Sequence, residues 1–171
     1  MFFTLSLAMA PVIEPDGQWV VNYTPHQCSA SRTFNNGRQR YTLFIKASID
    51  IEATQFGYVK ADDYTNVRQD IEIVDTGNIK IRKEFVRHNI KNNVISWAVM
   101  SSMDMEQIWK TKELRIGAIA FATGPIVKLS SALTDCRKDL QAYWNTGPEP
   151  MEKIVEPSSP VGEIGTIFDD R

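Results

Sequence analysis

The sequence predicts an α+β domain, with an antiparallel β-sheet or β-sandwich closed by one long C-terminal α-helix. Short runs rich in β-branched and aromatic residues recur along most of the chain before residue 101. Turn-forming stretches containing asparagine or glycine separate them, and a late apolar pattern has a helical period. With 171 residues, 43% of them hydrophobic, the chain is long enough for one domain with a packed core.

The long helix is predicted over residues 129–144. Its apolar side chains recur at intervals of three and four residues, which places them on one side of a helix. They are Leu129, Leu133, Cys136, Leu140 and the pair Tyr143/Trp144. Gly124-Pro125 sets the start, because proline is tolerated in a first turn, and Gly147-Pro148 ends the helix.

The strands are predicted from runs that favour β-structure. In chain order they are residues 19–23, 28–34, 39–49, 56–59, 70–74, 79–86, 94–100 and 115–121. The run 94–100 is the most apolar and is expected near the centre of the sheet. Asn36-Gly37 is expected to form a type I′ hairpin turn. Helical spacing predicts a short helix within 101–111, and Gly117 indicates a bulge or a close contact.

The chain has two cysteines, Cys28 and Cys136. In an exported chain they most simply form one disulfide, which closes a loop on the order of 100 residues. In a cytosolic chain they would instead be two buried thiols that act as small apolar side chains. The residues alone leave both interpretations open.

The ends of the chain differ in composition from residues 17–146, which are interpreted as the single domain. Residues 1–10 are interpreted as a partial signal peptide, because an apolar run precedes the small-x-small pattern Ala8-Met-Ala10. No lysine or arginine precedes that run and Pro11 follows it, so a frayed apolar terminus or a first strand is the alternative. Residues 147–171 are rich in proline and glutamate, which indicates a linker or disordered tail.

Charge and hydropathy exclude two classes of partner. The net charge of −2 provides no basic face, so nucleic-acid binding is not expected. No run of about 18 apolar residues is present, so a membrane-spanning helix is not expected either.

His26-x-Cys28 is the only compact pair of residues that suggests a metal ligand set or an activated nucleophile. A zinc site needs three or four ligands, and the remaining candidates, His88 and Cys136, are scattered. A cysteine hydrolase needs an oriented base and an oxyanion hole, which no motif indicates. We therefore expect no catalytic residue, no metal and no cofactor.

The remaining charged and aromatic clusters are interpreted as structural. Adjacent carboxylates point apart on a strand and make poor acid–base pairs, and short basic clusters are usually solvated strand faces. These clusters are Asp62-Asp63, Asp169-Asp170, Arg38-Gln-Arg40 and Lys80-x-Arg82-Lys83. The tryptophans at 19, 97, 109 and 144 are expected in the core, with Trp19 and Trp144 beside the disulfide.

Four segments together resemble a known family. They are Trp19-Val-Val-Asn-Tyr23, Cys28-x-x-x-Arg32-x-Phe34, Phe121-x-Thr123-Gly124 and Ala132-Leu133-x-x-Cys136-x-x-Asp139-Leu140-x-x-x-Trp144. They resemble a family of exported domains of unknown function from sphingomonad-type bacteria, some of which continue into a TonB-type C-terminal domain. The resemblance implies a periplasmic or envelope location and a Cys28–Cys136 disulfide, and it carries over no catalytic residue.

From these observations we expect a non-enzymatic periplasmic or envelope domain that binds envelope proteins, in connection with TonB-type energy-coupled transport. The alternative is a secreted small-ligand binder or enzyme with a pocket on the sheet. A third interpretation is a cytosolic structural domain with two free thiols. The ligand-binding residues are not predicted by the sequence.

Overall fold

The computed structural model describes residues 11–24, 27–47, 53–61 and 68–146. Within them, ten strands join into one curled sheet accompanied by two helices. The elements are β1 (Val12–Ile13), β2 (Val20–Tyr23), β3 (Cys28–Asn35), β4 (Arg40–Ala47), β5 (Thr54–Ala61), β6 (Arg68–Asp75), β7 (Lys80–Ile90), β8 (Asn93–Met100), α1 (Ser102–Lys110), β9 (Leu114–Ile116), β10 (Ile119–Phe121) and α2 (Val127–Thr146). The strand order is β1-β10-β9-β6-β7-β8-β5-β4-β3-β2, and only the β1–β10 pair is parallel.

The α+β prediction is confirmed at this level. The apolar run 94–100 falls within β8, which lies near the middle of the strand order as expected. A β-sandwich is not confirmed, because the described strands belong to one curled sheet. Residues 1–10 and 147–171, assigned from the sequence to a signal peptide and a tail, lie outside the described residues.

One face of the sheet, here called the inner face, packs against both helices. Leu43 of β4 and Phe56 of β5 are fully buried on this face. The helices contribute the buried side chains Met105, Ile108, Leu129, Leu133, Cys136 and Leu140. Burial of each large apolar side chain contributes roughly 1.5–3 kcal/mol. The inner face is therefore the main source of stability.

The predicted apolar stripe of α2 is confirmed as far as Leu140 and is wrong for Trp144. Trp144 is 52% exposed and packs edge-on against Tyr143, with ring centroids 5.7 Å apart. Successive helical residues are rotated by about 100°, so two adjacent rings cannot both face the core. α2 begins at Val127, which leaves Pro125 before the helix rather than in its first turn. It packs mainly against β2, β3 and α1, and the predicted closure of the sheet by this helix is not confirmed.

A glycine allows three strands to approach closely on the opposite, outer face. Gly57 of β5 pairs with Phe44 on one side and with Trp97 on the other. A Cβ atom at position 57 would lie 2.1 Å from the carbonyl oxygen of Ser96 and 2.7 Å from the Cα of Trp97. No larger residue fits without moving backbone. Phe44 belongs to a small second cluster on this face, against which Trp97 packs.

The N-terminal segment joins strands that are far apart in the sheet order. β1 pairs with β10, and Pro15 then forms an antiparallel bridge with Phe34 of β3. The backbone N–H of Asp16 donates to the carbonyl oxygen of Thr33 at 2.9 Å. Residues 12–16 therefore fasten the curled sheet to itself.

Side chains reinforce this junction at the carbonyl oxygen of Thr123. Arg32 Nη1 donates to that oxygen at 2.9 Å, and Trp19 Nε1 donates to it at 3.3 Å. The rings of Phe34 and Phe121 pack edge to face beside it, with centroids 5.0 Å apart. We call these five residues the seam.

Turn chemistry differs from the prediction at the β3–β4 hairpin. Only Gly37 has a positive φ in the β3–β4 turn, at 81°, so Asn36-Gly37 does not form the predicted type I′ turn. That turn requires positive φ at both central residues. Lys91 and Asn92, between β7 and β8, meet the requirement with φ of 45° and 65°. The type I′ pattern thus occurs where the sequence contains no glycine.

The single strand predicted over residues 115–121 is wrong. This segment contains parts of two strands, β9 and β10, with Gly117 between them at a φ of 55°. A Cβ atom at Gly117 would lie 3.0 Å from Glu72 Oε2, so the expectation of a close contact there is confirmed. Glycine permits both the positive φ and the approach of the carboxylate.

Cys28 and Cys136 form a disulfide that joins the first residue of β3 to the buried face of α2. The two Cα atoms are 6.0 Å apart, and 108 positions separate the cysteines in the sequence. The two residues are 0% and 2% exposed. The expected pairing is confirmed, and the alternative of two free thiols does not describe this structure.

Removal of this disulfide is expected to lower the free energy of unfolding by about 4–5 kcal/mol, because an open chain of this length gains entropy when it unfolds. Urea unfolding of the wild type and of the Cys28→Ala/Cys136→Ala double variant measures the difference. Substitution of the exposed Ser131 by alanine is the control and should change the value by less than about 0.5 kcal/mol. A loss of less than about 1 kcal/mol in the double variant would contradict the expectation.

A capping box starts α1 and ties it to β7. Ser101 Oγ accepts a hydrogen bond from the backbone N–H of Asp104 at 3.2 Å, and the Asp104 carboxylate accepts one from the N–H of Ser101 at 3.0 Å. Lys83 Nζ lies 2.6 Å from the same carboxylate. Burial acts to raise the pKa of Asp104, but hydrogen bonds from Lys83 and Ser101 outweigh it, so the pKa lies below its usual 3.8.

The variant Asp104→Asn should be less stable than the wild type above pH 3.8, where the unfolded carboxyl is ionised. The difference in stability between wild type and variant should narrow as the pH falls through the folded-state pKa of Asp104. Protonation of Asp104 then removes the ionic interaction with Lys83 from the wild type as well. Thermal unfolding between pH 2.5 and 7 tests this expectation. Asp135→Asn, at an exposed position of α2, should show a much smaller change, and a pH-independent difference for Asp104→Asn would refute the assignment.

Candidate ligand-binding site

Strand register places three polar side chains side by side on the inner face. Tyr58 of β5 pairs with Ser96 of β8, and Ser96 pairs with Arg87 of β7. Ser96 is fully buried, and Tyr58 is 3% exposed. Together with Asp70 and Glu72 of β6, these residues form what we call the polar network.

Arg87 is the centre of the charges in this network. Its guanidinium contacts the carboxylate of Glu72 through Nη2, and Nη1 lies 3.1 Å from Asp70 Oδ2. Arg68 Nε contacts the same Asp70 oxygen at 2.5 Å. Because Glu72 is only 8% exposed, its charge needs a close partner. Among the contacts between described residues, two cations thus face two carboxylates.

The environment fixes the protonation of two members of the network. Burial raises the pKa of Tyr58, and the charge of Glu72 raises it further, so the phenol stays protonated at neutral pH. Burial acts to lower the pKa of Arg87, but the hydrogen bond to Glu72 and the surrounding negative groups outweigh it and raise the pKa. The network therefore presents a neutral hydroxyl beside a permanent cation.

Two buried polar atoms of the network have unused hydrogen-bonding capacity. Arg87 Nε and Ser96 Oγ are buried, and neither has a hydrogen bond of standard geometry with a described residue. The Ser96 hydroxyl nevertheless interacts with the Tyr58 hydroxyl and acts to lower the Tyr58 pKa. Buried polar groups are normally paired, so Arg87 Nε retains the capacity to donate one hydrogen bond. Aromatic rings border the same region: the Tyr58 ring lies 6.4 Å from Tyr41 and 6.4 Å from Phe121. The arrangement suits binding of a polar group next to an apolar wall.

Nucleophilic chemistry at Ser96 has little support from its neighbours. Tyr58 and Arg87 both remain protonated at neutral pH, so neither can take the serine proton. His88 follows Arg87 on β7 and pairs with Ile95, so it points to the outer face. Among the described members of the network, Tyr58 and Arg87 therefore supply no base for Ser96.

The residues singled out from the sequence do not converge on this network. Cys28 and Cys136 are consumed by the disulfide, which removes them as nucleophile or metal ligands. His26, Asp62-Asp63 and Asp169-Asp170 lie outside the described residues. Within the described ranges, no group of three or more histidine, cysteine or acidic residues could hold a metal ion. Neither described helix has the length and apolar character required to cross a membrane.

The predicted basic clusters separate in the structure. Arg38 and Arg40 are exposed at the β3–β4 hairpin. Lys80 and Arg82 are also exposed on β7, whereas Lys83 points to the inner face and pairs with Asp104. Alternation along the strand thus divides the second cluster between two faces.

Three of the four predicted core tryptophans are partly buried. Trp19 and Trp109 pack against the main core, and Trp97 packs against the outer cluster. Trp144 is the exception, as described above. The prediction is therefore confirmed in part for three tryptophans and is wrong for Trp144.

Sequence reasoning missed the polar network because strand alternation does not identify the buried face. The run 70–74 was predicted as a strand, and β6 confirms it, but the apolar Ile71 and Ile73 are 60% and 48% exposed while Glu72 is buried. Partners on β7 and β9 decide this orientation. The sequence offered one indication of the network: Asp70 and Glu72 lie two residues apart on the predicted strand and therefore share a face.

Arg87→Gln is expected to destabilise the protein by about 3–5 kcal/mol, because it leaves the buried charge of Glu72 without its partner. Arg82→Gln is the matched control, since it changes the same residue type on the exposed face of the same strand and should cost less than about 0.5 kcal/mol. Urea unfolding of both variants gives the comparison. Equal losses would show that the Glu72–Arg87 contact has no special role.

No protein-family model, curated protein or solved structure matches this chain. The residues that resemble the sphingomonad-type domains are, in this structure, largely residues of the seam and the disulfide. They lie mainly at a structural junction, and Phe121 alone of the seam residues has a ring contact with Tyr58 of the polar network. Functional conclusions accordingly depend on the geometry of the chain itself.

Proposed function

We propose that this protein is a non-enzymatic binding or accessory domain of the bacterial periplasm or envelope, associated with TonB-type energy-coupled transport and with envelope proteins as partners. The observation that carries the proposal is the buried Cys28–Cys136 disulfide. Such bonds persist in oxidising compartments and are rare in the cytosol. The apolar run and small-x-small pattern of residues 1–10 support the same address.

The seam supports a scaffold role for the residues that carry the family resemblance. Trp19, Arg32 and Thr123 make hydrogen bonds that hold the chain start against the segment before α2. Phe34 and Phe121 pack at the same place. A motif devoted to holding the fold together is compatible with a binding module whose partner contacts lie elsewhere.

A small-ligand binder is the second candidate, and a specific observation favours it. Arg87 Nε is buried without a hydrogen-bond partner among the described residues, and the rings of Tyr58 and Tyr41 lie nearby. A small ligand with one polar group would use this capacity. The contacts of Arg87 with two carboxylates argue for a neutral polar group at this point.

Export is tested by intact mass of the protein recovered after expression from its native locus. A shortened N-terminus, recovery in the periplasmic fraction and no alkylation of cysteine before reduction are expected. The Cys28→Ser/Cys136→Ser variant is the control for alkylation. A full-length chain with two freely alkylated cysteines would overturn the proposed address.

Partner binding is tested separately by crosslinking in intact cells. Envelope proteins, including components of TonB-type transport, are expected among the crosslinked products of the wild type. The variant without the disulfide should give fewer crosslinked products, because a smaller fraction of it is folded. Recovery of no envelope protein from a correctly exported, folded domain would overturn the proposed role and favour the small-ligand candidate.

A further inference from the structure

The two helices border a groove at the end of β4 and β5, away from the polar network. Its volume is about 320 Å³, at the small end of the range for ligand sites. Ala47, Met105 and Leu133 provide buried apolar lining. The half-buried ring of Trp109 also lines it. The groove can therefore accommodate an apolar group of limited size.

Arg137 of α2 provides a charge in this groove and is only partly exposed. Its guanidinium has no ion pair or hydrogen bond with any described residue. The next residue, Lys138, is exposed and lies 3.8 Å from Asp135. A partly desolvated guanidinium without a partner is suited to bind a carboxylate through two parallel hydrogen bonds.

The other groups of the groove leave this charge available. Glu106 is the acidic residue in the lining, but Lys110 of its own helix lies 2.6 Å from it and neutralises it. Ser102, Ser130 and Thr134 add hydroxyl groups that can donate to an anion. The groove thus combines an apolar lining, an indole ring and one unpaired cation.

We propose that this groove binds a small carboxylate with an apolar, preferably aromatic, body. The carboxylate pairs with Arg137, and the body lies against Trp109 and Met105, which suit contact with an aromatic ring. This proposal adds a ligand class to the proposed binding function. Its biological role rests on that function, whereas binding itself can be measured independently of it.

The first experiment compares three probes of the same shape on the full chain: 3-phenylpropionate, 3-phenylpropan-1-ol and 3-phenylpropylamine. Proton–nitrogen correlation spectra, recorded in a buffer free of carboxylates, report both affinity and location. The acid is expected to shift the indole N–H of Trp109 and to bind about tenfold more tightly than the alcohol, with the amine weakest. Equal binding of acid and alcohol, shifts confined to other regions, or no binding at about 10 mM would overturn the proposal.

Two neighbouring variants then locate the charge. Arg137→Gln should weaken binding of the acid about tenfold and leave binding of the alcohol unchanged. Lys138→Gln, the matched control one residue away, should change either affinity by less than about twofold. Equal effects of both variants would mean that general surface charge attracts the acid. Because the three-probe comparison uses the wild type, it remains decisive even if a variant is unstable.

The result is separable from the test of the proposed function. Export and disulfide formation are read from mass and fractionation, whereas this site is read from spectra of the purified protein. If the protein is exported but does not bind 3-phenylpropionate more tightly than the alcohol, only the proposed ligand class is wrong. If the protein binds 3-phenylpropionate more tightly than the alcohol but stays in the cytosol, only the proposed cellular location is wrong.

Discussion

The carbonyl oxygen of Thr123 is the point on which the architecture most depends. It accepts hydrogen bonds from Arg32 and Trp19, and so links the chain start, β3 and the segment that leads into α2. Arg32 also donates to the carbonyl oxygen of Gly17 at 2.7 Å, so one guanidinium holds two separate stretches of backbone. The disulfide adds a covalent link between α2 and β3, the strand that also contains Arg32. These contacts reinforce the connection between distant strands that the backbone pairing of residues 12–16 makes.

Local patterns predicted most elements, because each depends on a short stretch of sequence. The period of α2, the apolar run of β8 and the helical spacing of α1 were sufficient to locate these elements. Prediction failed where tertiary contacts decide. The segment 115–121 has apolar residues on both sides of Gly117, so a hairpin and a continuous strand have similar local patterns. Similarly, glycine at position 37 permits more than one turn type, and strand pairing selects between them.

The two candidate binding regions could not be predicted, for a related physical reason. Tyr58, Arg87 and Ser96 come from three strands and meet only through register, which no single stretch of sequence encodes. Arg137 and Trp109 meet across two helices whose packing depends on the completed core. The Cys28–Cys136 pairing was one of two interpretations that the residues left open, because two cysteines allow only one pair or two free thiols. Ordinary charged and hydroxyl residues carry no such restriction, and their roles emerge from placement.

The position of residues 12–23 has a consequence for solubility. This one short segment supplies the strands at both ends of the sheet order, β1 with two residues and β2 with four. It therefore covers the backbone donors and acceptors of β10 and of part of the eight-residue β3. Exposed strand edges are templates for association between molecules. Because β1 and β2 are short, they leave short strand edges at the ends of the sheet, and loss of residues 12–23 would expose the longer edge of β3.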